Sequence, residues 1–150
     1  MNYNLDILEA TKTNNSPLKI NEEQLQGLLK NFCYVKTNNE IMINYENFRV
    51  INAFVGNKIV LQYLIFVIEN VLTKFETFIV HANIKKLTLL EIDKNKDFIY
   101  EMSNILKIKF NDKLDTCIIY DGSFIFKQIC NLLSTFIDKN TISKIQFYKE

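Results

Sequence analysis

The stretch from Leu114 to Phe147 constrains the fold of this 150-residue chain more than any other. The run Thr116-Cys117-Ile118-Ile119-Tyr120 is short, apolar and rich in β-branched and aromatic residues, which reads as a strand. Asp121-Gly122-Ser123 follows with the composition of a tight turn. From Phe124 to Ile137 the apolar residues recur at helical spacing, Asp138-Lys139-Asn140-Thr141 interrupts them, and Lys144-Ile145-Gln146-Phe147 reads as another strand. Strand, turn, amphipathic helix and strand in this order form a βαβ unit.

The upstream sequence is read by the same rules. Asn21-Glu22-Glu23-Gln24 is a capping-box pattern, and Leu25, Leu28 and Leu29 give the short helix after it one apolar face, with Gly27 weakening it. Ile41 to Ile43 and Phe48 to Phe54 read as two strands joined by the turn Asn44-Tyr45-Glu46-Asn47. Ile59 to Leu72 is a densely apolar helix, too short for the roughly 20 residues a bilayer demands and interrupted by Gln62, Glu69 and Asn70. It is expected in the core. Phe75 to Ala82 is a strand, and Phe98 to Ile108 a helix with Phe98, Ile99, Met102, Ile105 and Leu106 inward. Glu91, Asp93 and Asp97 mix with Lys94 and Lys96 as in an exposed loop. Alternation of strands and helices from Phe48 onward predicts an α/β fold with a mostly parallel sheet and right-handed βαβ crossovers. Pattern alone leaves open whether helices cover one face or both.

Composition narrows the function classes. A chain of this length forms one domain burying about two-thirds of its unfolded surface, with residues 1–40 as an N-terminal loop and short helix and 41–150 as the core. Hydrophobic content of 48% and charged content of 23% exclude a disordered chain. A net charge of +1 argues against a nucleic-acid partner. Cys33, Cys117 and Cys130 have neither disulfide nor zinc-ligand spacing, so buried thiols and no metal are expected. The N-terminus has no signal-peptide pattern, which points to a reducing, cytoplasmic compartment. No phosphate-binding glycine loop, dinucleotide fingerprint or H-E-x-x-H motif occurs, so no cofactor is expected.

In order and pattern these segments resemble the CRAL-TRIO lipid-binding domain family, in its divergent branch that includes modules of GTPase-regulating proteins. Phe48-Arg49-Val50-Ile51-Asn52 is similar to the family's first core strand, Val60 to Leu72 to the helix after it, and Phe75 to His81 to its central strand. Lys109-Phe110-Asn111-Asp112-Lys113-Leu114 falls where the family carries an aromatic-Pro pair, a basic residue and Leu. Thr116 to Gly122, Phe124 to Ile137 and Lys144 to Phe147 resemble its following strand and turn, long helix and last strand. The departures are His81 in place of a usual Asp, Tyr120-Asp121-Gly122 in place of a Pro-bearing turn, and Asn111 in place of the Pro. The sequence stops at Glu150, before the segment that helps close the family's cavity, so a truncated CRAL-TRIO-like scaffold is expected.

The resemblance implies a cavity between the sheet and the helix Phe124–Ile137, lined by Phe124, Phe126, Ile129, Leu133, Phe136 and Ile137. An aromatic stripe at helical spacing is equally the mark of plain core. Lys139 and Lys144 are the candidates for a phosphate head group, against the alternative of solvated lysines complementing a helix dipole. An uncovered apolar helix face needs a cover. The expected function is therefore a non-catalytic protein-interaction or scaffold module, self-associating as a dimer or bound to a partner, and peripheral to membranes. The alternative is a small lipid-binding or transfer domain for a phospholipid or another apolar ligand. His81, Asp121 and Ser123 suggest a Ser/His/Asp grouping near strand ends, but Gly122-Ser123 lacks the G-x-S-x-G elbow, and an esterase is disfavoured.

Overall fold

The computed structural model describes residues 20–121, 125–135 and 137–148. Helix α1 (Glu22–Phe32) leads into the hairpin β1 (Cys33–Thr37) and β2 (Glu40–Asn44), then α2 (Tyr45–Ile51) and α3 (Asn57–Leu72). Strand β3 (Phe78–Asn83) precedes α4 (Leu89–Lys94) and α5 (Lys96–Ile108). Strand β4 (Leu114–Tyr120), α6 (Phe126–Ser134), α7 (Lys139–Ser143) and β5 (Ile145–Tyr148) complete the described elements.

Local chemistry sets the element ends. The Asn21 side chain accepts from the Gln24 amide at 2.7 Å, and Gln24 Oε1 accepts from the Asn21 amide at 3.1 Å, forming the expected capping box. The β1–β2 hairpin turns at Asn38 with φ of 49°, a left-handed angle that Asn tolerates better than most residues. Thr88 Oγ1 accepts from the Glu91 amide and starts α4.

The stretch Phe48–Phe54 is not a strand, as its β-branched composition had suggested. It lies in α2 and the turns after it. Phe48 and Ile51, three residues apart, are both buried on one helical face. The start of α2 is pinned because Asn44 Nδ2 and Asn47 Nδ2 both donate to the Asn31 carbonyl, at 3.2 and 2.9 Å. The first strands are Cys33–Thr37, which sequence reading did not find, and Glu40–Asn44, which contains the expected strand Ile41–Ile43. The charged stretch Glu91–Lys94 is also helical rather than loop, because Thr88 caps it and Ile92 is buried.

The sheet runs β1-β2-β3-β4-β5 in chain order. Strands β1 and β2 are antiparallel, and every later pairing is parallel. Sequential parallel strands joined by right-handed crossovers put all connecting helices on one face. Every described helix reaches the one space on the face of Val80 and Ala82, so among the described residues the packing is one-sided. Phe78, Val80 and Ala82 of β3 point to the helical face, whereas His81 faces the other way. Helix α3 supplies the largest share of the core, with Ile59, Val60, Leu61, Leu64, Val67 and Ile68 all buried. Phe48 packs on Phe32 and Phe98 with ring centroids 5.9 and 4.7 Å apart, joining α1, α2 and α5.

Phe78→Ala, which empties a fully buried site on β3, should lower the unfolding free energy by about 3–5 kcal/mol in urea titration. Asn21→Ala should cost about 1 kcal/mol through the lost cap. Gly27→Ala should instead raise stability by about 0.5–1 kcal/mol, because the residue is exposed in mid-helix and an added Cβ meets nothing within 4 Å. A loss on Gly27→Ala would contradict this account of α1.

Candidate functional site

Between the sheet and its helical layer lies an apolar cavity of about 260 Å³. Its floor is Ile43 of β2, Phe78, Val80 and Ala82 of β3, and Cys117 and Ile119 of β4. Helix α3 contributes Leu61, Leu64, Ile65 and Ile68. Helix α5 presents Phe98, Ile99, Met102, Ile105 and Leu106, the face expected to point inward from its sequence. Leu132 of α6 and Thr141 of α7 bring the last-third helices into the wall. Each of the seven described helices touches this one space. No Lys or Arg lies among the lining residues described.

Among the described residues the polar part of the wall is Tyr45, Asn83, Glu91, Asn95 and Thr141. Tyr45 is the first residue of α2, directly after the carboxyl end of β2. Glu91 lies in the first turn of α4, and its Oε1 stands 3.7 Å from the Arg49 guanidinium of α2. Asn95 Nδ2 donates to the Glu91 carbonyl at 2.8 Å. A second ion pair, Lys86 to Glu46 at 3.2 Å, also links α2 to the segment after β3. Burial pushes the Cys117 thiol up to about 12, and Cys33 likewise, so both stay neutral and unreactive at physiological pH.

Of the residues expected to line a site, Ile137 lies on the cavity wall. Phe126, Ile129 and Leu133 belong to α6, and Phe124 and Phe136 fall outside the described residues. Lys139 opens α7 and is exposed, and Lys144 directly follows that helix. Neither lysine is brought to the cavity wall. The backbone carbonyl of Lys144 instead accepts from the Cys117 amide at 2.9 Å, joining β5 to β4.

His81 has Tyr120 and Glu40 as its hydrogen-bond partners, not Asp121. Its Nδ1 lies 2.7 Å from Tyr120 Oη and its Nε2 lies 2.7 Å from Glu40 Oε1, on the sheet face away from the cavity. The Tyr120 ring stacks on the imidazole at 5.8 Å, and the histidine is buried. Asp121 sits at φ of 60° directly after β4, as a turn residue does, and Ser123 is outside the described residues. Both ring nitrogens are thus committed to partners on neighbouring strands. Among the described residues no group of His, Cys, Asp and Glu has the geometry to hold a metal ion, and no helix is long and apolar enough to cross a membrane.

Sequence reading missed Tyr45, Glu91 and Asn95. Tyr45 was placed in a turn and Glu91 in an exposed loop, which hid their approach to one space. A usable signal existed: Thr88-Leu89-Leu90-Glu91 is a capping-box pattern that starts a helix.

A family model described as the CRAL/TRIO domain matches residues 28–150. That region begins well before Phe48 and so includes β1 and β2. The crystal structure of Sfh5 superposes with a TM-score of 0.67 at 15% identity, covering 95% of this chain and 57% of that one. At that identity the likeness speaks for the fold alone. The chain spans little more than half of that structure's length. No curated protein matches the sequence. Given the family match over most of its length and a Sfh5-like arrangement of sheet and helices, the chain belongs to the CRAL/TRIO domain family, whose members bind lipophilic molecules.

Proposed function

We propose that this protein binds one compact apolar molecule in the cavity between its sheet and its helices, as a non-catalytic lipid-binding domain. The cavity itself carries this reading: about 260 Å³ of space, walled by aliphatic and aromatic side chains from all layers of the domain. A bound apolar molecule would fill this space and remove its apolar lining from water, which is favourable at about 25 cal/mol per Å² of apolar surface. The volume sits at or below the roughly 300–1,000 Å³ typical of drug-sized ligands, so a single hydrocarbon chain suits it better than a diacyl phospholipid.

A second reading is an interaction module that pairs with a partner protein, a second copy or a membrane surface. In its favour, Leu90 of α4 and Ile108 of α5 are 77% and 80% exposed, and Tyr100 is half exposed. The cavity favours the first reading, because side chains scattered singly on a surface are ordinary in monomers.

Native mass spectrometry of the purified chain, followed by organic extraction, tests the choice. The expected result is a stoichiometric adduct that extracts as a single-chain apolar molecule. Ala82→Phe, which projects a ring from β3 into the cavity, should abolish the adduct while the protein stays folded. Ligand at about 100 times its Kd should stabilise the wild type by about 2.7 kcal/mol, raising Tm by several degrees. A bare monomer mass with no thermal response to apolar ligands would refute the binding reading. A bare dimer would favour the interaction module.

A further inference from the structure

Two buried side-chain oxygens among the described residues lack a hydrogen-bond partner, Tyr45 Oη and Glu91 Oε2. Both residues lie on the wall of the apolar cavity between sheet and helices. An unpaired buried polar group costs about 1–3 kcal/mol, so native structures rarely leave one without a purpose. Here the two unpaired atoms share one space.

They also share one end of it. Tyr45 opens α2, with its ring 6.1 Å from that of Phe48, and the next residue, Arg49, reaches across to Glu91 at 3.7 Å. The two polar groups therefore sit where α2 and α4 meet, beyond the carboxyl end of β2. Open α/β sheets place ligands at such strand ends.

The chemistry of the pair selects the missing partner. An ionised carboxylate only accepts, so Glu91 Oε2 needs a donor, while the phenol of Tyr45 can donate and accept. Arg49 beside Oε1 already balances the charge of Glu91, so the donor need not be a cation. An anionic head group would meet the Glu91 carboxylate with no lysine or arginine among the described lining residues to hold it. One hydroxyl answers both atoms, donating to Glu91 Oε2 and accepting from the Tyr45 O–H. We propose that Tyr45 and Glu91 form the head-group end of the cavity and select a neutral apolar alcohol. This rests on the apolar-ligand reading and adds the chemical class of the ligand to it.

The test compares probes of one chain length on the full chain: dodecane, lauryl alcohol, lauric acid, lauryl amine and lauryl phosphate, with Kd from calorimetric titration. Lauryl alcohol should bind about tenfold more tightly than dodecane, the worth of one good hydrogen bond to a charged acceptor. The two anions should bind more weakly than the alcohol. Tyr45→Phe and Glu91→Met should each bring the ratio of alcohol to dodecane affinity from about tenfold toward one, and measurable dodecane binding by a variant shows that it is folded. Equal binding of dodecane and alcohol would overturn the head-group assignment while keeping the cavity, since water would then satisfy the two oxygens. Tightest binding of the phosphate, the acid or the amine would overturn it too. Failure of every probe would overturn the apolar-ligand reading itself. The wild-type ranking decides even where a variant does not fold.

Discussion

The handedness of the crossovers is the constraint on which the rest of this structure depends. Four strands, β2 to β5, follow one another in parallel in chain order, and each return passes through helices. Right-handed connections in an unreversed order send every helix to the same face. That crowding builds a deep apolar layer on one side. The seven described helices, from five residues in α7 to sixteen in α3, leave a gap against the sheet. The gap is the cavity.

The two faces of the sheet consequently differ in chemistry. Toward the helices, β3 presents Phe78, Val80 and Ala82, and the space they border is almost free of polar atoms. On the other face, the alternate residue His81 bridges Glu40 of β2 and Tyr120 of β4. A buried imidazole with both nitrogens engaged is a structural cross-link over three strands, and it binds the sheet laterally where the helices cannot. This reading absorbs the chain's only histidine into the architecture and leaves Tyr45 and Glu91 as the described cavity residues with an unpaired buried oxygen.

Elements whose periodicity was strong were legible from sequence. The dense helix through Leu61, Leu64 and Ile68, the inward face of α5 and the strand at Thr116–Tyr120 all stand where the apolar spacing puts them. Phe48–Phe54 was misread because Val50, Ile51 and Phe54 have strand-like composition, whereas the decisive contacts are distant in sequence: Asn44 and Asn47 on the Asn31 carbonyl, and Phe48 on Phe98. Glu91 was hidden by its charged neighbours. Nothing in Asp93, Lys94 or Lys96 signals that the glutamate turns inward while they remain exposed.

By itself the sequence determined the alternation of strand and helix, the apolar face of each long element, the capping box at Asn21, and a resemblance to the CRAL-TRIO family carried by element order. These follow from local rules, since period, cap and turn chemistry act within a few residues. Only the tertiary structure decided that the described helices share one face, that His81 joins Glu40 and Tyr120, and that Tyr45 and Glu91 both line one apolar space. Strand order and the convergence of residues dozens of positions apart depend on which segments pair across the sheet. That pairing is set by the packing of the whole domain, and no local pattern encodes it.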